Sequence, residues 1–86
     1  MTIKDVQIET EYMRFILWEN KPKTQVWNIQ SKSSNALLGL IKWYGPWRQY
    51  CFFPENETTF NSKCLDQIQT HINDLNRVHK EFAKRK

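Results

Sequence analysis

Nucleophilic chemistry in this chain would depend on its two cysteines and two histidines, Cys51, Cys64, His71 and His79. Cys64 and His71 share one face of a predicted helix, but they lie two turns, or about 10 Å, apart. That distance is too long for direct proton transfer between a thiol and an imidazole. An enzyme that depends on the Cys64 thiol is therefore the weakest of three functional hypotheses, and a packed small residue is the simpler interpretation.

The same residue types predict no metal or cofactor site. His71 and His79 are too widely spaced for the usual i and i+4 pair of helix ligands, and the cysteine spacing matches no zinc motif. The two glycines, Gly39 and Gly45, do not form a phosphate-binding loop. No carboxylate pair lies at a position that the pattern would bury. We therefore predict that the protein is not an enzyme.

Aromatic and basic side chains concentrate around one Gly-Pro break, and they are the best candidates for a binding site. Flat rings beside Lys and Arg suit stacking on bases and pairing with phosphates, as in single-strand and nucleotide binders. We expect Arg48 to hold the anion, because its planar guanidinium grips a phosphate with two hydrogen bonds. The predicted ligand-binding residues are Lys42, Tyr44, Trp47, Arg48 and Gln49.

Two β-prone runs meet at this break and predict a hairpin. A two-residue loop would place Tyr44 opposite Trp47, whereas a β-turn would place Gly45 opposite Arg48 and suits Pro46 better. Both registers give the same two faces, because side chains alternate along a strand. One face carries Leu37, Ile41, Trp43, Tyr50 and Phe52, and the other carries Leu38, Leu40, Lys42, Tyr44, Gln49, Cys51 and Phe53.

Two further strands are predicted before the hairpin. Residues 24–30 alternate, with Trp27 and Ile29 on one face. Residues 12–18 are dense in aromatic and β-branched side chains, which favours a strand. The alternative there is a helix with a capping box and an apolar stripe, formed by Thr2, Asp5, Ile3, Val6, Met13 and Leu17.

A long amphipathic helix follows the hairpin and begins near Asn61 or Ser62, both good N-caps. Its apolar stripe recurs at steps of three and four and must pack on the sheet. The stripe is Leu65, Ile68, Ile72, Leu75, Val78 and Phe82, and the solvated side is Gln67, Asn73, Asp74, Arg77, Lys80, Glu81 and Lys84. We predict one α+β domain over residues 1–86, an antiparallel meander of three to four strands with the helix on one face.

One helix covers only one face of a sheet. We expect Trp43, Tyr50 and Phe52 beneath the helix, with Trp27 beside them. The uncovered face would then expose an apolar patch, a feature that marks interaction sites. The predicted interface residues are Leu38, Leu40, Cys51 and Phe53.

Net charge and hydropathy limit the kinds of binding partner that the sequence predicts. The chain of 86 residues has a formal net charge of +4, and residues 77–86 alone hold five basic residues and one acidic residue. A basic helix end suits the helix dipole, and contact with nucleic acid is the other interpretation. No apolar run approaches the ~18 residues of a membrane-spanning helix, and no signal peptide is predicted. We expect a cytoplasmic protein without a membrane partner.

Residues 38–54 match the pattern L-G-x-I-K-W-Y-x-x-W-R-x-Y-x-F-x-P, and Thr59-Phe60 and Cys64-Leu65 with Ile68 continue it. The pattern resembles one that recurs in small uncharacterised bacterial and phage proteins, although Gln67 stands where that pattern has aspartate. The resemblance implies a phage or prophage setting, in which small domains often sequester host factors or nucleotide signals. It assigns no function to any residue.

Two hypotheses lead from these observations. The first is a non-enzymatic module that binds a nucleic acid or a nucleotide-like anion at the hairpin tip. The second is an interaction domain that uses the uncovered face to bind a host protein or a second copy of the chain.

Overall fold

The computed structural model describes residues 7–84, with the side chains of residues 7–81. It is an antiparallel sheet whose five strands lie side by side in chain order, followed by one helix. The elements are β1 (Gln7–Glu9), β2 (Met13–Asn20), β3 (Gln25–Ser31), β4 (Leu37–Tyr44), β5 (Gln49–Pro54) and α1 (Ser62–Lys84). The predicted α+β meander with a C-terminal helix is confirmed, but the sheet has five strands rather than three or four.

The additional strand is β1, at the edge of the sheet. It has three exposed residues and pairs only with β2, Ile8 lying opposite Phe15. So short a strand shows no readable alternation in the sequence. The strand predicted for residues 12–18 is confirmed as β2, while Thr2, Asp5, Ile3 and Val6 of the helical alternative lie outside the described residues.

The core lies between α1 and one face of the sheet. Met13, Phe15, Ile29 and Ile41 are each at most 1% exposed. Leu17, Trp27, Tyr50, Cys64 and Ile68 complete the buried cluster, and Leu38, Trp43, Phe52, Phe60, Ile72 and Leu75 pack against it. The prediction that Trp27, Trp43, Tyr50 and Phe52 lie beneath the helix is confirmed.

The predicted division of the hairpin into two faces is wrong at its first two residues. Ile29 pairs with Gly39 but Gln30 pairs with Leu37, so Leu38 is an extra residue in β4, a β-bulge. The bulge reverses the expected alternation. Leu38 packs against the core, whereas Leu37 is 40% exposed beside Leu40 on the opposite face.

The helix begins as predicted, because the Asn61 side chain accepts a hydrogen bond from the backbone N–H of Cys64 at 2.8 Å. Its buried stripe is rotated from the predicted one. Leu65 and Val78 are 50% and 56% exposed, while Cys64 is buried and His71 contacts aromatic rings of the core. The side chain of Phe82, the last predicted member, lies outside the described residues.

Candidate functional site

The hairpin turn at the centre of the predicted site is the β-turn rather than the two-residue loop. The backbone N–H of Arg48 donates to the carbonyl of Gly45 at 3.1 Å, and Tyr44 pairs with Gln49. Arg48 itself has a φ of 52° and a ψ of 47°, in the left-handed region. A non-glycine residue there costs roughly 1–2 kcal/mol, so Arg48 occupies a position that the backbone alone would give to glycine.

The structure divides the predicted site between the two sides of the hairpin. Trp43 and Tyr44 are consecutive in β4 and therefore point to opposite faces. Trp43 lies on the side of α1, where its ring centroid is 4.3 Å from that of His79. Lys42 and Tyr44 lie on the other side. We call that side the open face; it carries Arg14, Ile16, Asn28, Leu40, Lys42, Tyr44, Cys51 and Phe53.

Aromatic rings gather at the end of the open face nearest the turn. Tyr44 makes perpendicular ring contacts with Trp47 at 5.1 Å and with Phe53 at 5.9 Å. The Lys42 ammonium lies 4.8 Å from the centroid of the Phe53 ring. Trp47 is 66% exposed on the turn. This arrangement offers stacking surfaces with a cation held beside them, as a base or another flat group requires.

A cleft of about 630 Å³ opens on the other side, between the turn and the C-terminal half of α1. We call it the tip cleft. Its lining residues are Trp43, Arg48, Gln49, Asn73, Asn76, Arg77, His79, Lys80 and Glu81. Arg48 of the predicted site thus lies in one cleft with helix residues predicted to be solvated, which are Asn73, Arg77, Lys80 and Glu81. Gln49 borders the cleft, but it pairs with Tyr44 in the sheet and its side chain shares the open face.

Positive charge predominates in the tip cleft. Arg48, Arg77 and Lys80 line it with a single carboxylate, Glu81. The Arg77 guanidinium nitrogens lie 3.5 Å from a carboxylate oxygen of Glu81 and 3.6 Å from one of Asp74, so part of the charge of Arg77 is compensated. Among residues 7–81, no carboxylate lies within ion-pair distance of Arg48. A guanidinium without an internal partner is available to an external anion.

Two hydrogen bonds hold the walls of the tip cleft in place. The Asn76 side chain accepts from the backbone N–H of Tyr50 at 2.8 Å, which ties α1 to the edge strand β5. The Tyr50 hydroxyl accepts from the backbone N–H of Gln25 at 3.0 Å. Burial raises the pKa of Tyr50, and the Gln25 bond opposes that shift. The cleft is therefore built on fixed elements of the core.

The predicted interface residues are divided as well. Leu40, Cys51 and Phe53 lie on the open face and are half-buried, whereas Leu38 packs against the core. In the part of the chain that the structure describes, α1 packs on the opposite side and no element covers these three.

Two of the four cysteine and histidine candidates, Cys64 and His71, belong to the core, whereas Cys51 lies on the open face and His79 lines the tip cleft. Cys64 is buried, and the His71 ring lies 5.0 Å from Phe15 and 4.5 Å from Trp27, edge to face. Burial lowers the pKa of His71, and the nearby charge of Asp74 partly opposes this effect. Within the described residues, no group of three or more His, Cys, Asp or Glu side chains is placed to hold a metal ion.

Sequence reasoning missed Arg77, Lys80, Asn73 and Asn76 as members of the site. The available signal was the basic run at residues 77–86, for which the helix dipole gave a sufficient explanation. Periodicity shows which residues of a helix share a side, but it does not show which loop that side meets.

Among residues 7–84, no helix combines the length and the apolar character needed to cross a bilayer. The sheet, the helix and the tip cleft together define a small α+β protein with one face of its antiparallel sheet uncovered and a basic cleft at one end.

Comparison with known proteins places this architecture in a family. The chain is 36% identical over 74 residues to a protein of Acholeplasma phage L2 described as "Uncharacterized 9.3 kDa protein". The alignment covers 84% of this chain and 94% of the phage protein. The chain therefore belongs to the same family of small phage proteins. No protein-family model matches it, and no solved structure is significantly similar.

Proposed function

We propose that this protein is a non-enzymatic module that binds a nucleic acid or a nucleotide-like anion in the tip cleft. The observation that carries the proposal is the meeting of Arg48, from the hairpin turn, with Arg77 and Lys80, from α1. Among residues 7–81, Arg77 pairs with Glu81 and Asp74, whereas Arg48 and Lys80 form no ion pair, so their charge favours an external anion. The cleft wall also offers the Trp43 and His79 rings, which lie next to each other with a tilt of 33°.

Polar neighbours support the same ligand class. Asn73 and Asn76 of α1 line the cleft and bring amide groups, of which the Asn76 oxygen already accepts from the backbone N–H of Tyr50. A phosphate accepts from guanidinium and ammonium groups, while a base or sugar can use the amides. Binding would therefore combine charge pairing with hydrogen bonding, and no bond would be made or broken.

The test is a calorimetric titration with a nucleoside triphosphate and with a single-stranded oligonucleotide. We expect the affinity to fall as salt rises from about 50 to 200 mM, because phosphate neutralisation releases counterions. Arg48→Ala should remove most of the binding, about tenfold or more, since a charge-assisted hydrogen bond contributes about 1.5–3 kcal/mol.

Lys63→Ala is the matched control. Like Arg48→Ala it removes one positive charge, but from the first turn of α1, about 21 Å along the helix axis from Arg77. Among the described residues, the Lys63 ammonium pairs with the exposed Glu11 carboxylate alone, at 2.6 Å, and the cleft lies at the other end of α1. Full affinity in Arg48→Ala, or an affinity that salt does not change, would contradict the proposal.

A second candidate function is protein interaction through the open face, with a host protein or a second copy of the chain. Ile16, Asn28, Leu40 and Phe53 pair in sequence from β2 to β5 and form a continuous row across the sheet. Ile16, Leu40 and Phe53 are apolar and partly exposed on the side away from α1, and Asn28 between them is 9% exposed. Such a row is typical of interaction surfaces.

Sedimentation at several concentrations tests this second function. If the open face joins two copies, the apparent mass should rise with concentration and Leu40→Lys should abolish the rise, while salt has little effect. A monomer at every concentration, with no host protein retained on immobilised protein, would count against it. Lys63→Ala, which alters charge on α1 at the opposite side of the sheet, is the control.

A further inference from the structure

We infer that the ligand is a single-stranded nucleic acid that crosses the hairpin turn, with phosphates in the tip cleft and a base on Trp47. This inference rests on the function proposed above and names the ligand within its class. It follows from the division of the aromatic and basic residues between the two sides of the hairpin.

The two groups of residues lie on different sides of the hairpin. Arg48 lines the tip cleft on the side of α1, whereas Tyr44 and Lys42 belong to the open face. A mononucleotide whose phosphate lies in the cleft keeps its base on that side, near Trp43. A ligand that fills the cleft and also stacks on Trp47 crosses the turn, and a chain of several nucleotides is suited to do so.

The turn leaves room for such a chain. Gly45, Pro46 and Trp47 are all exposed, and a Cβ added at Gly45 would meet no atom within 4 Å. Trp47 is 66% exposed, more than any other large hydrophobic side chain described. Its perpendicular contact with Tyr44, at 5.1 Å, supports the ring and leaves most of its surface to solvent. An exposed and supported ring is a suitable platform for a base.

Stiffness distinguishes a single strand from a duplex. Duplex DNA has a persistence length of about 50 nm, far longer than this protein, so it cannot bend around a hairpin tip. A single strand bends at each nucleotide and can pass from the cleft over Gly45 to the open face. The spatial division of the site therefore selects a flexible strand.

The experiment compares ligands of one base type by calorimetric titration. The probes are thymidine monophosphate, oligothymidylate and oligouridylate of about eight nucleotides, and an oligothymidylate–oligoadenylate duplex of about 25 base pairs, which is long enough to stay paired at room temperature. We expect at least one oligonucleotide to bind about tenfold or more tightly than the monophosphate, and the duplex to bind more weakly than the strand. Binding of the DNA or of the RNA strand supports the inference equally, since both supply the same phosphates and bases.

Two variants at one position test the stacking step. Trp47→Leu should weaken oligonucleotide binding about tenfold, because stacking on an aromatic ring contributes at this scale per base. Monophosphate binding should not change. Trp47→Phe keeps a flat ring and should retain most of the affinity. Trp47 is exposed, so neither variant is expected to unfold the protein, and circular dichroism verifies this.

The outcomes separate the two proposals. If the monophosphate and the oligonucleotides bind equally well, if the duplex matches the strand, or if Trp47→Leu binds like the parent, the inference is overturned and the cleft function remains. If none of the probes binds, the proposed function fails and the inference fails with it.

Discussion

The two faces of the sheet have similar apolar side chains but different surroundings. Ile41, on the face beneath α1, is 0% exposed, while its neighbour Leu40, on the open face, is only partly buried. Charged groups follow the same division. The open face holds Arg14 and Lys42, and the buried cluster beneath the helix contains no charged side chain.

The difference shows that apolar content alone does not identify the core. Burying an apolar side chain completely contributes about 1.5–3 kcal/mol, and a half-exposed one contributes much less. The face beneath α1 therefore holds the molecule together, and the open face is available for contacts. Substitutions at adjacent positions of one strand compare the faces directly.

The largest expected effect is at Ile41. Ile41→Ala should lower the free energy of unfolding by about 2–5 kcal/mol, because it removes buried methyl groups and leaves a cavity. Leu40→Ala should cost about 1 kcal/mol or less, as partly exposed positions do. Urea denaturation of both variants measures the difference.

Equal losses at the two positions would mean that the open face is buried in solution. In that case the Leu40→Ala loss should depend on protein concentration, as stability linked to self-association does. A loss that is equal and independent of concentration would contradict the division of the sheet into a covered and an open face.

The two glycines provide a second comparison, with a smaller effect. A Cβ at Gly39 would lie 2.6 Å from a Phe52 ring carbon and 2.7 Å from the Phe53 carbonyl oxygen, whereas Gly45 has open space. Gly39→Ala should cost about 1–3 kcal/mol through overpacking. Gly45→Ala should change stability by less than about 0.5 kcal/mol. Thermal unfolding of the two variants tests this, and a neutral Gly39→Ala would show that both the Phe52 ring and the Phe53 backbone shift without cost.

The smallest expected effect is a pH dependence from His71. Burial between Phe15 and Trp27 lowers its pKa, so the folded protein keeps the ring neutral where the unfolded chain, with a pKa of about 6.5, binds a proton. The unfolded state then binds more protons. This contribution to stability is complete above pH ~6.5 and is lost as pH falls through the folded-state pKa.

Urea denaturation between pH 8 and pH 5 should show this loss in the parent protein. His71→Leu, which cannot titrate, should lose less stability over the same range. If stability changed with pH in the same way in both proteins, the His71 ring would accept a proton without cost. That result would contradict the conclusion that the face beneath α1 excludes charge.

Local features of the fold were predictable from local residues. The alternation of Trp27 and Ile29 specified a strand, Asn61 specified the start of the helix, and Pro46 favoured the β-turn that the structure contains. Each of these depends on backbone preferences or hydrogen bonds within a few positions, and such preferences are legible in the sequence.

Features that depend on packing were not predictable in the same way. The bulge that turns Leu38 towards the core arises in the pairing of β3 with β4, and no residue type marks it. On the buried side of α1, Cys64 and His79 face the sheet where Leu65 and Val78 were predicted, because the packing of α1 on the sheet decides which stripe is buried. That packing is set by how side chains of both elements interlock.

The sequence by itself determined an antiparallel sheet with one amphipathic helix, an aromatic hairpin and a basic chain end, because composition and periodicity are local properties. Only the tertiary structure decided that Arg48 shares a cleft with Arg77 and Lys80, and that Tyr44 and Trp47 face the other way. The physical reason is that a helix and a turn distant in the chain meet only after the core beneath them has packed.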